Sequence, residues 1–291
     1  LLFLLMTSGH FQSLIFCCFF SGAYFLWCLF KNQTNKLKSI KFFSLAIAIG
    51  LLLMSLQIVP TLEMASQSIR FEENYISGYN YGLLSLDRFV TLFAPDYFGN
   101  PVTYNFWGSY NYHESVIYCG IIAIFAIIFC LFKFKSLKDE KFFLVSAVLI
   151  LLLTFNTPLG KLTYLLDIPG LSTSSASRIV ILFTFSVSIL SSYFIQNLAR
   201  IKLQNWIRFY WGYFLFLIII TSTTFLIYRF SLNDLNISTH FKIALRNLIL
   251  PCFVSTIIFI ILILFKNFNL KKTLLLLILI FDLFRFGWKY L

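Results

Sequence analysis

Phe209-Tyr210-Trp211-Gly212-Tyr213-Phe214-Leu215-Phe216-Leu217-Ile218-Ile219-Ile220 opens a run that continues to Tyr228 without a charged side chain. At 1.5 Å per helical residue a stretch of this length covers roughly 30 Å, the thickness of a bilayer hydrocarbon core. Phe, Tyr and Ile favour strands in water, but in hydrocarbon only a helix satisfies all its own backbone groups, so the run is predicted to be a membrane-crossing helix.

The same reading extends outward. Apolar blocks of similar length lie near 11–30, 42–59, 115–132, 142–156, 178–198, 246–265 and 273–289, with a partial block at 1–8. The expected fold class is therefore all-α: a polytopic transmembrane helical bundle of about eight full spans plus a partial one, forming a single helical domain over 1–291. Composition agrees. The mean hydropathy is +0.86 and 59% of the residues are hydrophobic, well above the roughly 45–50% of soluble domains. The chain opens inside an apolar block at Leu1-Leu2-Phe3 and is read as a fragment of a longer membrane protein, with no signal peptide.

Charge orients the bundle. The net charge is +12, and 14 of the 23 basic residues fall in four short connections at 31–41, 133–141, 199–208 and 266–272. The alternate connections, 60–114, 157–177 and 229–245, hold eight of the eleven acidic residues. The positive-inside rule then puts the Lys-rich turns in the cytoplasm and loop 60–114 outside, in a multi-pass plasma-membrane protein. Basic residues confined to such turns suit anionic lipid, and nucleic acid is excluded as a partner. The six cysteines (Cys17, Cys18, Cys28, Cys119, Cys130 and Cys252) lie in or beside apolar blocks without CxxC spacing, and read as small core residues.

Loop 60–114 is far longer than ordinary connections, so it is expected to be functional, as an active-site or ligand loop, or folded onto the bundle. It carries Glu63, Arg70, Arg88, Asp96, Asn100, Trp107, Tyr110, Tyr112, His113 and Glu114. Acidic side chains supply acid–base or metal chemistry, guanidinium groups fork onto phosphate, and flat aromatic rings stack on sugars. Plainer roles compete. Tyr110, Tyr112 and Trp107 suit an interfacial aromatic belt, Asp96 a local turn cap, and Glu114 the cap of a helix starting near 115. Asn100, preceding Pro101, is expected to be extended. HExxH zinc chemistry is excluded because Ile117 stands where the second histidine would be. Outside the loop, Arg178 opens a span on the outer side as a second phosphate candidate, with snorkelling to headgroups as the alternative. Asp282 and Arg285, three apart within the last block, are expected to pair with each other. His10, beside Gly9 and Gln12, has no assigned role.

Taken in order, Gly9-His10-Phe11-Gln12, Pro60-Thr61-Leu62-Glu63 with Ser68 and Arg70, the run from Pro95 to Pro101, Tyr110 to Glu114 with Tyr118 and Gly120, Arg178, and Phe281-Asp282-Leu283-Phe284 resemble the bacterial YfhO-type membrane proteins. That family looks like the GT-C class of polytopic glycosyltransferases. The resemblance implies a polyprenyl-phosphate sugar donor, an envelope polymer or lipid acceptor such as lipoteichoic acid, and a site on the outer face. In that scheme Asp96, Glu114 and His113 are catalytic, and Asp96 and Glu114 hold any divalent cation (Mg or Mn). Arg88, Arg178, Arg70, Glu63, Asn100, Trp107, Tyr110 and Tyr112 bind substrate. The key acidic residue of the first GT-C outer loop is expected to precede this chain. The alternative functions are a lipid-linked-sugar transporter or flippase, and a non-catalytic membrane scaffold.

Overall fold

The computed structural model describes residues 11–31, 35–67, 82–108, 111–166, 168, 171, 175–198 and 203–288. Arg70, Tyr110, His10 and the block at 1–8 lie outside them.

The described chain is helical, with no strand longer than an isolated bridge between Leu84 and Phe155. The helices are α1 (Phe11–Lys31), α2 (Lys36–Ser66), α3 (Tyr112–Ser115), α4 (Ile121–Phe132), α5 (Glu140–Thr154), α6 (Pro158–Leu165), α7 (Val180–Asn197), α8 (Leu203–Phe230), α9 (Leu235–Leu264) and α10 (Phe268–Gly287). Five of the helical segments are long and apolar enough to cross a membrane: Gln12–Lys31, Lys36–Met64, Ser177–Asn197, Tyr210–Phe230 and Leu235–Leu264. Their outward faces stay apolar, with Leu56 85% and Phe30 82% exposed, as lipid rather than water would require. The chain is a helical membrane protein.

Several boundaries differ from the hydropathy reading, each for a local reason. The block at 115–132 is helical only from Ile121, so α4 extends roughly 18 Å, too short to cross alone. Val116 is extended and Gly120 adopts φ +92°, a conformation that glycine enters without a Cβ penalty, so the chain swings into α4 instead of continuing α3. The connection at 229–245 is mostly helix. Asp234 accepts the N–H groups of Asn236 and Ile237, which starts α9 at Leu235 and leaves only a short turn after α8. At the other end, α2 continues through Pro60 to Ser66, so the loop proper begins later than residue 60. The last block forms α10, whose Lys271, Lys272, Asp282 and Arg285 set it apart from the five apolar crossings.

The chain forms two compact units, one of Leu1–Leu84 with Leu149–Phe183, the other of Ser85–Val148 with Thr184–Leu291. Within the first, Leu14 and Met54 are buried together with Ile58 packed against them, and Phe25 stacks on Phe43 at 3.9 Å. Leu84 donates to the carbonyl of Thr154 and accepts from the N–H of Asn156, tying residue 84 to the end of α5. Within the second, α8 and α9 form an antiparallel hairpin against which α4 and α10 pack. Phe125 of α4 stacks against Tyr210 of α8 at 4.6 Å. The segment 85–108 belongs to this second unit, and its Ala94, Tyr97 and Phe98 form one buried cluster with Ala244 and Leu248 of α9.

Candidate functional site

Hydrophobic anchoring and turn chemistry together shape segment 85–108. A 3₁₀ turn at Leu86–Leu92 buries Arg88, Thr91 and Leu92. Tyr97 is inserted so that its hydroxyl meets Thr224 of α8 at 2.8 Å. Gly99 at φ +80° then reverses the chain so tightly that a Cβ there would lie 2.0 Å from the carbonyl oxygen of Asn105. Asn100 is extended, as expected before proline. Its side-chain oxygen accepts the N–H of Val102, closing the turn at Pro101–Thr103.

That turn presents Asn100 to Asp96. The amide nitrogen of Asn100 donates to Asp96 Oδ1 at 2.9 Å, and the Tyr112 hydroxyl donates to the same oxygen at 3.0 Å. Asp96 Oδ2 faces Nη1 of Arg285, from α10, at 3.8 Å. The main chain is held too, since Asn247 of α9 donates its amide to the carbonyl of Asp96 at 2.5 Å. Asp96, Asn100 and Tyr112 are all buried. An ionised carboxylate only accepts hydrogen bonds, and this one is met by two donors and a cation, an arrangement that compensates its burial. The sequence reading placed Asp96, Asn100 and Tyr112 among its candidates; the structure brings all three together. Arg285 and Asn247 were missed as members of this group. Arg285 gave a signal, as a charge in an apolar block, but was assigned to Asp282.

Asp282 and Arg285 instead have separate partners. Asp282 accepts from the Tyr118 hydroxyl at 2.6 Å and from the N–H of Ile121 at 3.0 Å. It thus caps the start of α4 from a different helix, the task expected of Glu114. Geometry explains the exchange. Gly120 at φ +92° sets the turn before α4, where a Cβ would press on Leu279 and Leu283 of α10 at 3.3 Å. Glu114 lies in the single turn of α3, which is capped by Asn111 accepting the N–H of His113. Tyr112 turns inward from α3 while His113 is exposed and Glu114 half-buried.

The same unit holds an aromatic wall. Trp107 lies flat against His240 of α9, with 5.0 Å between ring centroids and 6° between planes, and edge-on to Phe98 at 4.8 Å. Its indole nitrogen is buried, with no hydrogen-bond partner among the described residues. His240 went unnoticed in the sequence because nothing local distinguishes it. Arg88 is 2% exposed, with its guanidinium carbon 4.0 Å above the Phe98 ring and its Nε 3.7 Å from Asp87. Burial pushes this guanidinium down from its ordinary value while Asp87 opposes the change. So placed, Arg88 braces the loop: a Cβ on Gly108 would lie 2.4 Å from its Nη1.

The remaining candidates are elsewhere. Glu63 is exposed on the last turns of α2, in the first unit. Arg178 is in that unit as well, exposed, with Nη1 donating to Gln12 Oε1 at 3.5 Å while Gln12 donates to the carbonyl of Ser175 at 2.9 Å. Arg70 and Tyr110 lie outside the described residues. For a divalent cation the donor set around Asp96 is a poor match: its neighbours are an amide, a phenol and a guanidinium. Among the described residues no group of three or more His, Cys, Asp or Glu side chains is placed to hold a metal. No family model, curated protein or solved structure matches this chain.

Proposed function

We propose that the protein is a membrane glycosyltransferase of the YfhO type. It takes sugar from a polyprenyl-phosphate carrier and passes it to an envelope polymer or lipid on the outer face of the plasma membrane. In this reading the bundle is GT-C-like: α4, α5 and α10 complete about eight spans, and the segment ending at residue 114 faces outward. The observation that carries the proposal is the gathering of Asp96, Asn100, Tyr112 and Arg285, in the unit that also holds the Trp107–His240 stack.

Sugar transfer with inversion requires a base that takes the acceptor hydroxyl proton as its oxygen attacks the anomeric carbon. The bond from that carbon to the phosphate oxygen breaks, and the electron pair leaves with the phosphate, whose charge a cation stabilises. Asp96 supplies the base, Arg285 the cation next to it, and the flat Trp107–His240 pair a stacking surface for a sugar ring. Tyr112 and Asn100 orient the carboxylate.

The test is an assay of membranes carrying the protein with a polyprenyl-phosphate sugar. Asp96→Asn and Arg285→Gln, at normal protein levels, are expected to lose transfer by about 10²-fold or more, the usual contribution of a positioned base. Undiminished transfer in Asp96→Asn would remove the assignment.

A further inference from the structure

A second site lies in the same unit, away from Asp96. A groove of about 400 Å³ runs between α7 and α10, from Cys119 and Leu283 at one end to Gln196 and Lys272 at the other. Its volume falls in the range of roughly 300–1,000 Å³ typical of ligand sites. The walls are mostly apolar, from Ala123, Val187, Leu276 and Leu279. The hydroxyls on the α7 side add little polarity, because Ser188 and Ser191 donate back to the carbonyls of Thr184 and Val187 at 2.8 Å. Small side chains on α7 thus open a slot suited to a hydrocarbon chain.

Gln196 also lines a second, polar cavity of about 390 Å³, bordered by Ser136, Lys138, Glu140, Tyr193 and Asn197. Gln196 is therefore shared by an apolar slot and a polar, lysine-bearing chamber. Glu140, the acidic member, accepts the N–H of Lys138 at 3.0 Å and so is already engaged with the turn. Two neighbouring lysines have other tasks: Lys141 sits 4.7 Å from the Phe134 ring centroid, and Lys271 donates to the carbonyl of Leu262 at 2.9 Å. Lys138 borders the polar cavity and Lys272 the apolar slot.

We infer that this paired cavity binds an anionic phospholipid, with one acyl chain in the α7–α10 slot and the phosphate between Lys138, Lys272 and Gln196. Charge complementarity carries the choice of occupant. The chain has a net charge of +12, and the lysine-rich turns at 133–141 and 266–272 each give a lysine to one of the two cavities that share Gln196. Basic pockets between membrane helices recognise anionic headgroups in this way. The site is independent of the sugar-transfer reading and stands or falls without it.

Native mass spectrometry of the intact protein in detergent tests it, comparing retention of phosphatidylglycerol and phosphatidylcholine with matched acyl chains. Phosphatidylglycerol is expected to be retained the more tightly, by roughly fivefold for each lysine engaged. Lys138→Ala with Lys272→Ala should abolish the preference, and Lys138→Arg with Lys272→Arg should restore it. Ser192→Phe, which fills the slot, should reduce retention of both lipids without changing the unfolding temperature. Equal retention of the two lipids, a preference that survives the double alanine variant, or displacement by inorganic phosphate alone would overturn the assignment. So would stronger retention of a polyprenyl phosphate than of phosphatidylglycerol.

Discussion

Asp96 and Asp282 are both buried carboxylates of the second unit, at 6% and 3% exposure, yet their surroundings differ in kind. Asp282 stands in α10 and accepts from a phenol and from the first N–H of α4, so its partners belong to the scaffold. Asp96 stands in an irregular turn, held by Asn100 of that turn and Tyr112 of α3 and facing a guanidinium at ion-pair rather than hydrogen-bond separation. A carboxylate that closes a helix end is part of the architecture. One that sits in an irregular turn beside a cation has neighbours that suit chemistry. Burial alone would not separate the two; the identity of the donors does.

Substitutions can break that comparison. The largest expected effect is on transfer: Asp96→Asn should lower it by about 10²–10⁴-fold with little change in unfolding temperature, while Asp282→Asn leaves measurable transfer in whatever fraction folds. Asp282→Ala should have the largest effect on stability, on the order of 3 kcal/mol, because it removes a helix cap and a charged hydrogen bond together. Thermal unfolding in detergent reads this, and Tyr118→Phe should show about half of it. Gly99→Ala comes next, at roughly 1–3 kcal/mol, since a Cβ at φ +80° meets the Asn105 carbonyl and displaces the turn that presents Asn100. Its loss of transfer should exceed its loss of stability if Asn100 orients Asp96. His240→Ala, which removes one face of the Trp107 stack, should raise the apparent KM severalfold with kcat nearly unchanged. The smallest effect belongs to Glu63→Ala. This side chain is exposed at the end of α2, and its replacement should change stability by less than about 0.5 kcal/mol.

Much of the fold was legible from hydropathy because bilayer thickness sets helix length. The run at 209–228 falls inside α8, and the blocks at 11–30 and 42–59 fall inside α1 and α2. Hydropathy misjudged the ends wherever a polar side chain or a glycine decided them: Asp234 carries α9 well before its apolar block, and Gly120 delays α4 by six residues relative to 115. The site was legible in composition and not in membership. Asp96, Asn100, Tyr112, Trp107 and Arg88 stood out as polar or aromatic residues in a long connection. Their partners Arg285, Asn247 and His240 lie on helices more than 120 positions away, where no local pattern links them to the loop.

The amino-acid sequence by itself determined that this is a helical membrane protein, because length and apolarity act residue by residue along one chain. Which acid meets which cation was decided only by tertiary structure. Arg285 is three residues from Asp282 and on the same helix, yet it turns to Asp96, because Tyr118 and the open end of α4 already occupy Asp282. A buried charge takes the partner that packing delivers, and packing is not a local property.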